Sequence, residues 1–446
     1  MIENLLVLAL VIVGFGPMVL EFRAKKFDIF NIKNAFILYY IIQLGFSGLI
    51  SIKSTYPSEI GLSPVTYRGY YIEALIAALI GLLCFQLGYY FLGNSRLKIP
   101  RSWNIRFKKL NVSLVILLYF GIGFIAAAIL VLKSGGLSQF LNERETFRTE
   151  GISGQGYLVY PATHLLTQAV VVYMLYIFYT KKAVTKIHLL SIFLLLVVSI
   201  APAFIMGFRG LIVLPILECL VIWNYKYKVL PILKMIPISI LLIVSFLIYG
   251  IVREIPPQFE VTPSMALEVI DKNPELVYAF LARSKGTEVV ASEIKKLEET
   301  GEYELGYKSV IESFTIFIPG ALWPDKPVPS SVRFTTYFFG DELAFSRGVK
   351  QESWGGISPT ILGEAYWHFG WFGVTIGLAL FGAIIRKIYT TFINNKNNIV
   401  MLMLYAEIYP LFVMMAEAVQ GYANSFILYL ISFVFTIFVL KLNFFK

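Results

Sequence analysis

Charged side chains are scarce in this chain of 446 residues. They make up 15% of the sequence, against roughly 25% in an ordinary soluble domain, while 57% of the residues are hydrophobic. This balance excludes a soluble enzyme and favours a membrane protein. The first apolar run has neither the basic start nor the small-residue cleavage site of a signal peptide, so we expect it to be a membrane span.

Cysteine and histidine are also rare. Cys84 and Cys219 lie in apolar runs separated by several predicted crossings, so we expect neither a disulfide framework nor a thiolate metal site. The three histidines, His164, His188 and His368, are far apart and form no HxxxH pair.

Motifs for soluble donors are missing as well. The sequence has no P-loop, no GxGxxG after a strand, no HExxH and no clear Asp-x-Asp metal pair. Nucleotide-driven transport and nucleotide-sugar donors are therefore disfavoured. We expect no metal and no cofactor.

What the sequence does contain is a series of apolar runs, most of them long enough to cross a hydrocarbon core of about 30 Å. They predict an all-α polytopic membrane protein with about 11 transmembrane helices. The predicted spans are 3–20, 35–52, 70–92, 112–132, 158–179, 188–205, 209–224, 233–252, 359–385, 398–416 and 424–440.

The basic residues fall into alternate connections between these spans. By the positive-inside rule these connections are cytoplasmic, which places the N-terminus outside and the C-terminus in the cytoplasm. The net charge of +10 is therefore a topology signal, and no nucleic-acid partner is expected. The runs 188–205 and 209–224 are short, and they are either two spans or one re-entrant hairpin.

Two predicted outer loops divide the chain. Residues 1–252 hold spans one to eight with a short outer loop at 134–157, and residues 358–446 hold spans nine to eleven. Between them, 253–357 carries 16 of the 28 acidic residues and forms a large outer loop. Segments 265–281 and 286–300 of this loop are predicted helices, the second one ending at Gly301. A loop of this length favours a folded, partly helical lid over the membrane body.

Arginines on the predicted outer face are candidates for binding an anion. Arg209 lies in a Gly-Phe-Arg-Gly turn between two apolar runs, where a charge is costly unless it faces a cavity or a partner. An interfacial anchor or a simple ion pair explains it as well. Other guanidinium groups of the outer loops match phosphate oxygens, although a solvated salt bridge is the alternative for each: Arg144, Arg148, Arg253, Arg283, Arg333 and Arg347.

The start of span nine, GGISPTILGEAYWHFGWFG, is the richest motif. Ser358 before Pro359 predicts a helix N-cap, so that the residues at 364 and 368 share one face near the outer surface. A glutamate and a histidine so placed can serve as a general base toward a sugar hydroxyl, or as a polar clasp between helices. These two residues are Glu364 and His368. Tyr366 and Trp367 are predicted to stack on sugar rings, with an interfacial aromatic belt as the alternative.

The span layout, the long loop before the last three spans, the Gly-Phe-Arg-Gly turn, IPGALWPDKP and GGISPTILGEAYWHFGWFG together resemble one family. This family is the oligosaccharide repeat-unit polymerases, the Wzy-type O-antigen or exopolysaccharide polymerases. The resemblance covers most of the chain in layout. In motifs it covers about residues 140–160, 206–210, 250–285 and 318–373.

The resemblance implies a metal-independent, GT-C-like glycosyltransferase that uses undecaprenyl diphosphate-linked oligosaccharide on the outer face of the bacterial plasma membrane. The growing chain would move to the non-reducing-end hydroxyl of a new lipid-linked repeat unit. Family arginines that bind the diphosphate would correspond to Arg148, Arg209 and Arg283, with Arg253 and Lys326 as further candidates. Glu364 and His368 would activate the acceptor hydroxyl, and Arg209 would also act in catalysis.

Two other functions stay open. One is a ligase that transfers finished polymer from the same lipid to an acceptor. The other is a flippase or transporter for the lipid-linked oligosaccharide, which would favour repeated halves that we do not find. Expected partners are the lipid-linked oligosaccharide, the bilayer, a chain-length regulator and a flippase.

Overall fold

A computed structural model describes most residues of the chain. These are residues 2–53, 66–93, 108–133, 135–136, 161–205, 209–231, 286–315, 323, 330–331, 333–338, 359–416 and 419–441. The described residues form helices and no strand. Seven helices among them are long and apolar enough to cross a membrane.

All predicted spans except the eighth coincide with helices, and the eighth lies outside the described residues. The first part of the body consists of α1 (Ile2–Arg23), α2 (Ile32–Lys53), α3 (Arg68–Leu92), α4 (Lys109–Lys133), α5 (Ala162–Thr180), α6 (Lys186–Ile205) and α7 (Arg209–Ile222). The later part consists of α8 (Gly286–Thr300), α9 (Tyr307–Thr315), α10 (Ile361–Phe372), α11 (Leu378–Asn394), α12 (Ile399–Met414) and α13 (Val419–Lys441).

The outward faces of the body are apolar. Large side chains of α1, α4 and α6 are more than half exposed, among them Leu8, Leu117 and Phe193. Exposed apolar side chains on successive helices are typical of a surface that contacts lipid.

Buried charges near the helix ends are paired. Glu3 of α1 accepts hydrogen bonds from Arg68 at the start of α3. Toward the other ends of these helices, fully buried Lys33 of α2 contacts Glu21 at 2.5 Å and donates to the Tyr90 hydroxyl at 2.9 Å. These two pairs show that α1 and α3 run parallel, with α2 opposite to them.

The uncertain pair 188–224 forms two separate helices. Helix α6 has 20 residues, and α7 has 14 residues followed by a five-residue π-helical turn, Trp223–Tyr227. At a rise of about 1.5 Å per residue both approach 30 Å in length. Lys226 lies over the ring of Tyr179 at the end of α5, which is also where α6 begins, so α6 and α7 are antiparallel.

The predicted helix 286–300 is confirmed as α8. Its predicted apolar face of Val289, Val290, Ile294 and Leu297 is buried, and Gly301 follows with a φ of +68°. The residues from 286 to 294 are all buried, because α8 packs between α2, α3 and α10. A methyl group on Gly286 would lie 2.5 Å from the carbonyl oxygen of Gln43, in the middle of α2.

Span nine differs from the expected straight helix. Gly370 has φ +58° and ψ −143° inside it, a conformation that glycine adopts at little cost. A methyl group on Gly81 of α3 would contact both Leu362 and Leu378, at 3.3 and 2.5 Å. These leucines would be about 24 Å apart in a straight helix. The chain therefore folds back at Gly370, and α10 is a short limb packed beside α11 and its π-helical turn, Gly373–Gly377.

The N-cap of α10 was also predicted wrongly. The helix begins at Ile361, and Thr360 is the cap, whose hydroxyl accepts a hydrogen bond from the Gly363 N–H at 3.0 Å. Pro359 precedes the cap, and Ser358 lies outside the described residues. The next backbone contact, from Ile361 N–H to the Ala416 carbonyl at 3.3 Å, ties the start of α10 to the end of α12.

Close helix contacts depend on glycine, and Gly382 gives a test. A methyl group on Gly382 of α11 would lie 2.1 Å from the Phe85 carbonyl oxygen. We expect Gly382→Val to destabilise the protein by about 1–3 kcal/mol through overpacking, measured as a lower apparent Tm in detergent micelles. The matched control is Gly121→Val in α4, where no atom lies within 4 Å. Equal Tm values for the two variants would contradict the close α3–α11 packing.

Candidate functional site

An open cleft of about 480 Å³ lies beside the turn between α10 and α11. We call it the Glu304 cleft, after the carboxylate at its centre. It combines acidic, basic and aromatic side chains. Its lining residues are Glu302, Tyr303, Glu304, Lys308, Arg333, Thr336, Tyr337 and Trp367.

The position of Glu304 follows from the end of α8. The helix stops at Gly301, and the next residues run past α10, where the Glu304 N–H donates to the Trp367 carbonyl at 3.3 Å. Leu305 and Gly306 both have positive φ values and turn the chain into α9. His368 packs its ring against Gly306, since a methyl group there would lie 3.5 Å from the ring.

Glu304 joins a guanidinium and an imidazole. Its carboxylate oxygens lie 3.1 Å from Nε of Arg333 and 3.4 Å from Nδ1 of His368. Burial raises the pKa of Glu304, and the charges of Arg333 and Lys308 oppose this shift. A carboxylate with a raised pKa beside a histidine is suited to accept a proton near neutral pH.

Arg333 is held from its other side by α9. Its Nη2 atom donates to the Ser309 hydroxyl at 3.0 Å and lies 3.9 Å from a Glu312 carboxylate oxygen. The same Glu312 oxygen accepts the Ser330 N–H at 2.8 Å. The guanidinium is thereby fixed at the edge of the cleft, where a fork of N–H donors matches phosphate or carboxylate oxygens.

Aromatic rings form one wall. The ring of Trp367 is parallel to those of His368 and Tyr337, with centroids at 5.3 and 6.5 Å. Tyr366 is buried and packs edge-on against Trp371 instead. Of the two aromatic residues predicted to bind sugar, Trp367 therefore lines the cleft and Tyr366 is not among its lining residues.

Below the cleft, two carboxyl groups are buried where α8 and α10 meet. Glu293 of α8 is 0% exposed, and Glu364 of α10 is 6% exposed. Gly363 allows this approach, since a methyl group there would lie 2.4 Å from a Glu293 carboxylate oxygen. Neither oxygen of Glu293 has a hydrogen-bond partner in the described part of the chain. Burial and the nearby Glu364 raise the pKa of Glu293 well above its ordinary value.

The predicted catalytic residues Glu364 and His368 are thus both buried on α10, and the imidazole of His368 lies beside the Glu304 carboxylate. Sequence reasoning did not identify Glu293 or Glu304, and it treated Arg333 only as one of several outer arginines. The spacing of Glu293, four residues from both Val289 and Leu297, could have indicated that it lies on the buried face of α8. No signal in the sequence pairs Glu304 with a residue 64 positions later.

The predicted diphosphate-binding residues remain predictions. Arg148, Arg253, Arg283 and Lys326 lie outside the described residues, as does the predicted helix 265–281. Arg209 is the first residue of α7, and the description does not extend to its side chain. Within the described ranges, no three acidic, histidine or cysteine residues are grouped so that they could hold a metal ion.

Comparisons with models of protein families, with curated proteins and with solved structures found no match to this chain. The function is therefore argued from the sequence motifs and from the geometry of the cleft.

The buried Glu293 carboxyl predicts a pH-dependent stability. Because its pKa is raised on folding, its stabilising contribution is complete below the unfolded value of about 4.3. It is lost as the pH rises through the folded pKa, at up to about 1.4 kcal/mol per pH unit. We expect the apparent Tm of the wild type to fall between about pH 5 and pH 9, and that of Glu293→Gln to fall less.

Glu299→Gln is the matched control for this measurement, because Glu299 lies on the same helix with its side chain 55% exposed. Its Tm profile should follow that of the wild type. Parallel profiles for all three proteins would show that Glu293 does not titrate on unfolding.

Proposed function

We propose that this protein is a membrane-embedded, lipid-donor glycosyltransferase that polymerises undecaprenyl diphosphate-linked oligosaccharide repeat units. The observation that carries the proposal is the Glu304 cleft. It places a proton acceptor, a fixed guanidinium and an aromatic wall together at one end of a helical membrane body. The motif resemblance of the segment that contributes Trp367 and His368 supports the same chemistry.

In the proposed reaction, the non-reducing-end hydroxyl of a new repeat unit attacks the anomeric carbon of the growing chain. The bond from that carbon to the lipid diphosphate oxygen breaks, and the diphosphate leaves with the electron pair. Glu304 accepts the hydroxyl proton, assisted by His368, which lies 3.4 Å behind it. This step assigns to Glu304 the role that the motif predicted for Glu364, and a general base contributes about 10²–10⁴ in rate.

The other groups of the cleft bind the two substrates. Tyr337, which is partly exposed, offers a flat ring to the apolar faces of sugars, and the buried ring of Trp367 packs behind it. Arg333 and Lys308 stabilise charge on the departing diphosphate, together with the arginines and the lysine assigned from the motifs: Arg148, Arg209, Arg253, Arg283 and Lys326. No cofactor or metal takes part in this proposal.

The proposed setting is the outer face of the bacterial plasma membrane, with the N-terminus outside and the C-terminus in the cytoplasm. The cleft lies at the end of the body that holds Tyr67, beside the start of α3, since Lys295 of α8 contacts the Tyr67 ring. The charge pattern predicts that this end faces outward. A flippase would deliver the repeat units there, and a chain-length regulator would act on the product.

The test is the size distribution of surface polysaccharide in cells that lack this gene and carry variants in its place. We expect the deletion to leave a single repeat unit on the acceptor. Glu304→Gln and His368→Gln should reduce long chains by about 100-fold or more, since the first removes the proton acceptor and the second removes the imidazole that assists it. Matched controls are Glu299→Gln, which changes an exposed residue, and His188→Gln, which changes a partly exposed one; both lie outside the cleft.

The outcomes separate the alternatives when the amount of each variant in the membrane is measured in parallel. Long chains that stay on the lipid carrier and never reach the acceptor would identify a ligase. Repeat units that accumulate on the inner leaflet would identify a transporter. A normal ladder from Glu304→Gln, at normal protein level, would remove this residue from the mechanism.

Arg209→Ala is a separate test of the diphosphate site. We expect this variant to enter the membrane normally and to form no polymer, because a fixed guanidinium contributes about 2.7–4 kcal/mol to a developing anion by analogy with oxyanion sites. If Arg209→Ala forms as much polymer as the wild type, Arg209 has no role in diphosphate binding and only anchors the start of α7.

A further inference from the structure

Three polar side chains meet deep inside the helix body, apart from the Glu304 cleft. They are Gln168 of α5, Glu218 of α7 and Glu407 of α12, with exposures of 0%, 0% and 1%. The three helices pack on one another. Glu218 and Glu407 lie near the midpoints of their helices, so the cluster is far from both ends of the body.

The hydrogen bonds of this cluster are incomplete. Gln168 donates its side-chain N–H to one oxygen of Glu407 at 3.1 Å. The carbonyl oxygen of Gln168, the second oxygen of Glu407 and both oxygens of Glu218 are buried and have no hydrogen-bond partner in the described part of the chain. Four acceptors therefore lie in one apolar region without a donor, which is a costly arrangement.

The charges are also unbalanced. Glu218 and Glu407 lie close enough to repel each other electrostatically if both are ionised. Among the described residues, no lysine, arginine or histidine forms an ion pair with either of them. Two ionised carboxylates so near each other are unfavourable, and more so in a membrane interior. Protonation or a bound cation at this place removes that cost.

Protons satisfy both requirements. One monovalent cation would leave the two carboxylates with a net negative charge, and calcium takes six to eight oxygen ligands. Two protons make the pair neutral and supply two O–H donors to the unpaired oxygens. We propose that Glu218, Glu407 and Gln168 form a reversible proton-binding site inside the membrane body, with both carboxyls protonated at rest.

Neighbouring groups are compatible with this site. Tyr119 of α4 faces Glu407 and donates to the Ser432 carbonyl at 2.9 Å, and Cys219 adjoins Glu218. Most charged groups on helices packed against α12 lie near the helix ends. Lys33, paired with Glu21, and Arg386, which lies over the Tyr89 ring, are toward the predicted cytoplasmic end, and Lys53 of α2 and Arg209 of α7 are at the predicted outer ends.

His164 of α5 lies one helical turn before Gln168, toward the predicted outer end, and is 4% exposed. Its Nε2 atom lies 3.2 Å from the Ser432 hydroxyl of α13. The proposal does not depend on the function proposed for the Glu304 cleft.

Infrared spectroscopy of the full chain in detergent micelles tests this proposal, because protonated carboxyls absorb separately from carboxylates. With Glu293→Gln as the common background, because the buried Glu293 carboxyl is also expected to be protonated, we expect a carboxylic-acid band at pH 7 that falls to about half in Glu218→Gln and in Glu407→Gln, since two groups share it. Glu299→Gln, which removes an exposed carboxylate, should leave the band unchanged. The readout is independent of polysaccharide synthesis, so failure of the proposed function would not affect it.

Titration separates proton exchange from a permanent clasp. From about pH 6 to about pH 10, well above the ordinary glutamate value of about 4.3, we expect the band to decrease reversibly. A band that is constant over this range would show a permanent hydrogen-bonded clasp and overturn the proposal. Absence of the band at pH 7, or its loss when sodium chloride replaces choline chloride, would show bound cations instead of protons.

Discussion

The burial of polar groups among apolar helices is the constraint on which the rest of the structure depends. Every polar group there needs a partner from the chain itself, because an unpaired one costs several kcal/mol. The body meets this demand in most places. Lys33 is bound by Glu21 and Tyr90, and the Asp28 carboxylate accepts the hydroxyls of Tyr225 and Tyr389. The buried carboxyls without partners in the described part of the chain are therefore candidates for a functional role.

The candidate site follows from one reversal of the chain. Because the chain folds back at Gly370, α10 packs beside α8. Gly363 then brings the backbone of α10 onto the Glu293 carboxyl, and the last turns of α10 place Trp367 and His368 at the loop after α8. A straight helix would have separated His368 from Glu304. Gly370 and Gly363 thus determine which residues can act together.

The sequence predicted the parts of this arrangement that depend on local pattern. Apolar runs located the helices, and the spacing of Val289, Ile294 and Leu297 located α8 with its end at Gly301. The fold-back at Gly370 was not predictable, since it depends on Leu362 and Leu378 meeting at Gly81, far away in sequence. The contact between His368 and Glu304 was not predictable for the same reason. Glu293 lies four residues from both Val289 and Leu297, on the apolar face of α8, but nothing in the sequence places Gly363 beside it.

The two sites place different demands on their carboxyl groups. Glu304 lies at the edge of the cleft with Arg333 and His368 beside it, so a charge there is balanced and can be used at neutral pH. Glu218 and Glu407 have no such balance, and each change in their protonation alters the net charge of an apolar interior. A charge change at that depth costs more than one at the surface, and helix packing around α7 and α12 must respond to it. Proton binding at the centre of the body is therefore expected to affect the arrangement of its helices, whereas proton transfer in the cleft is not.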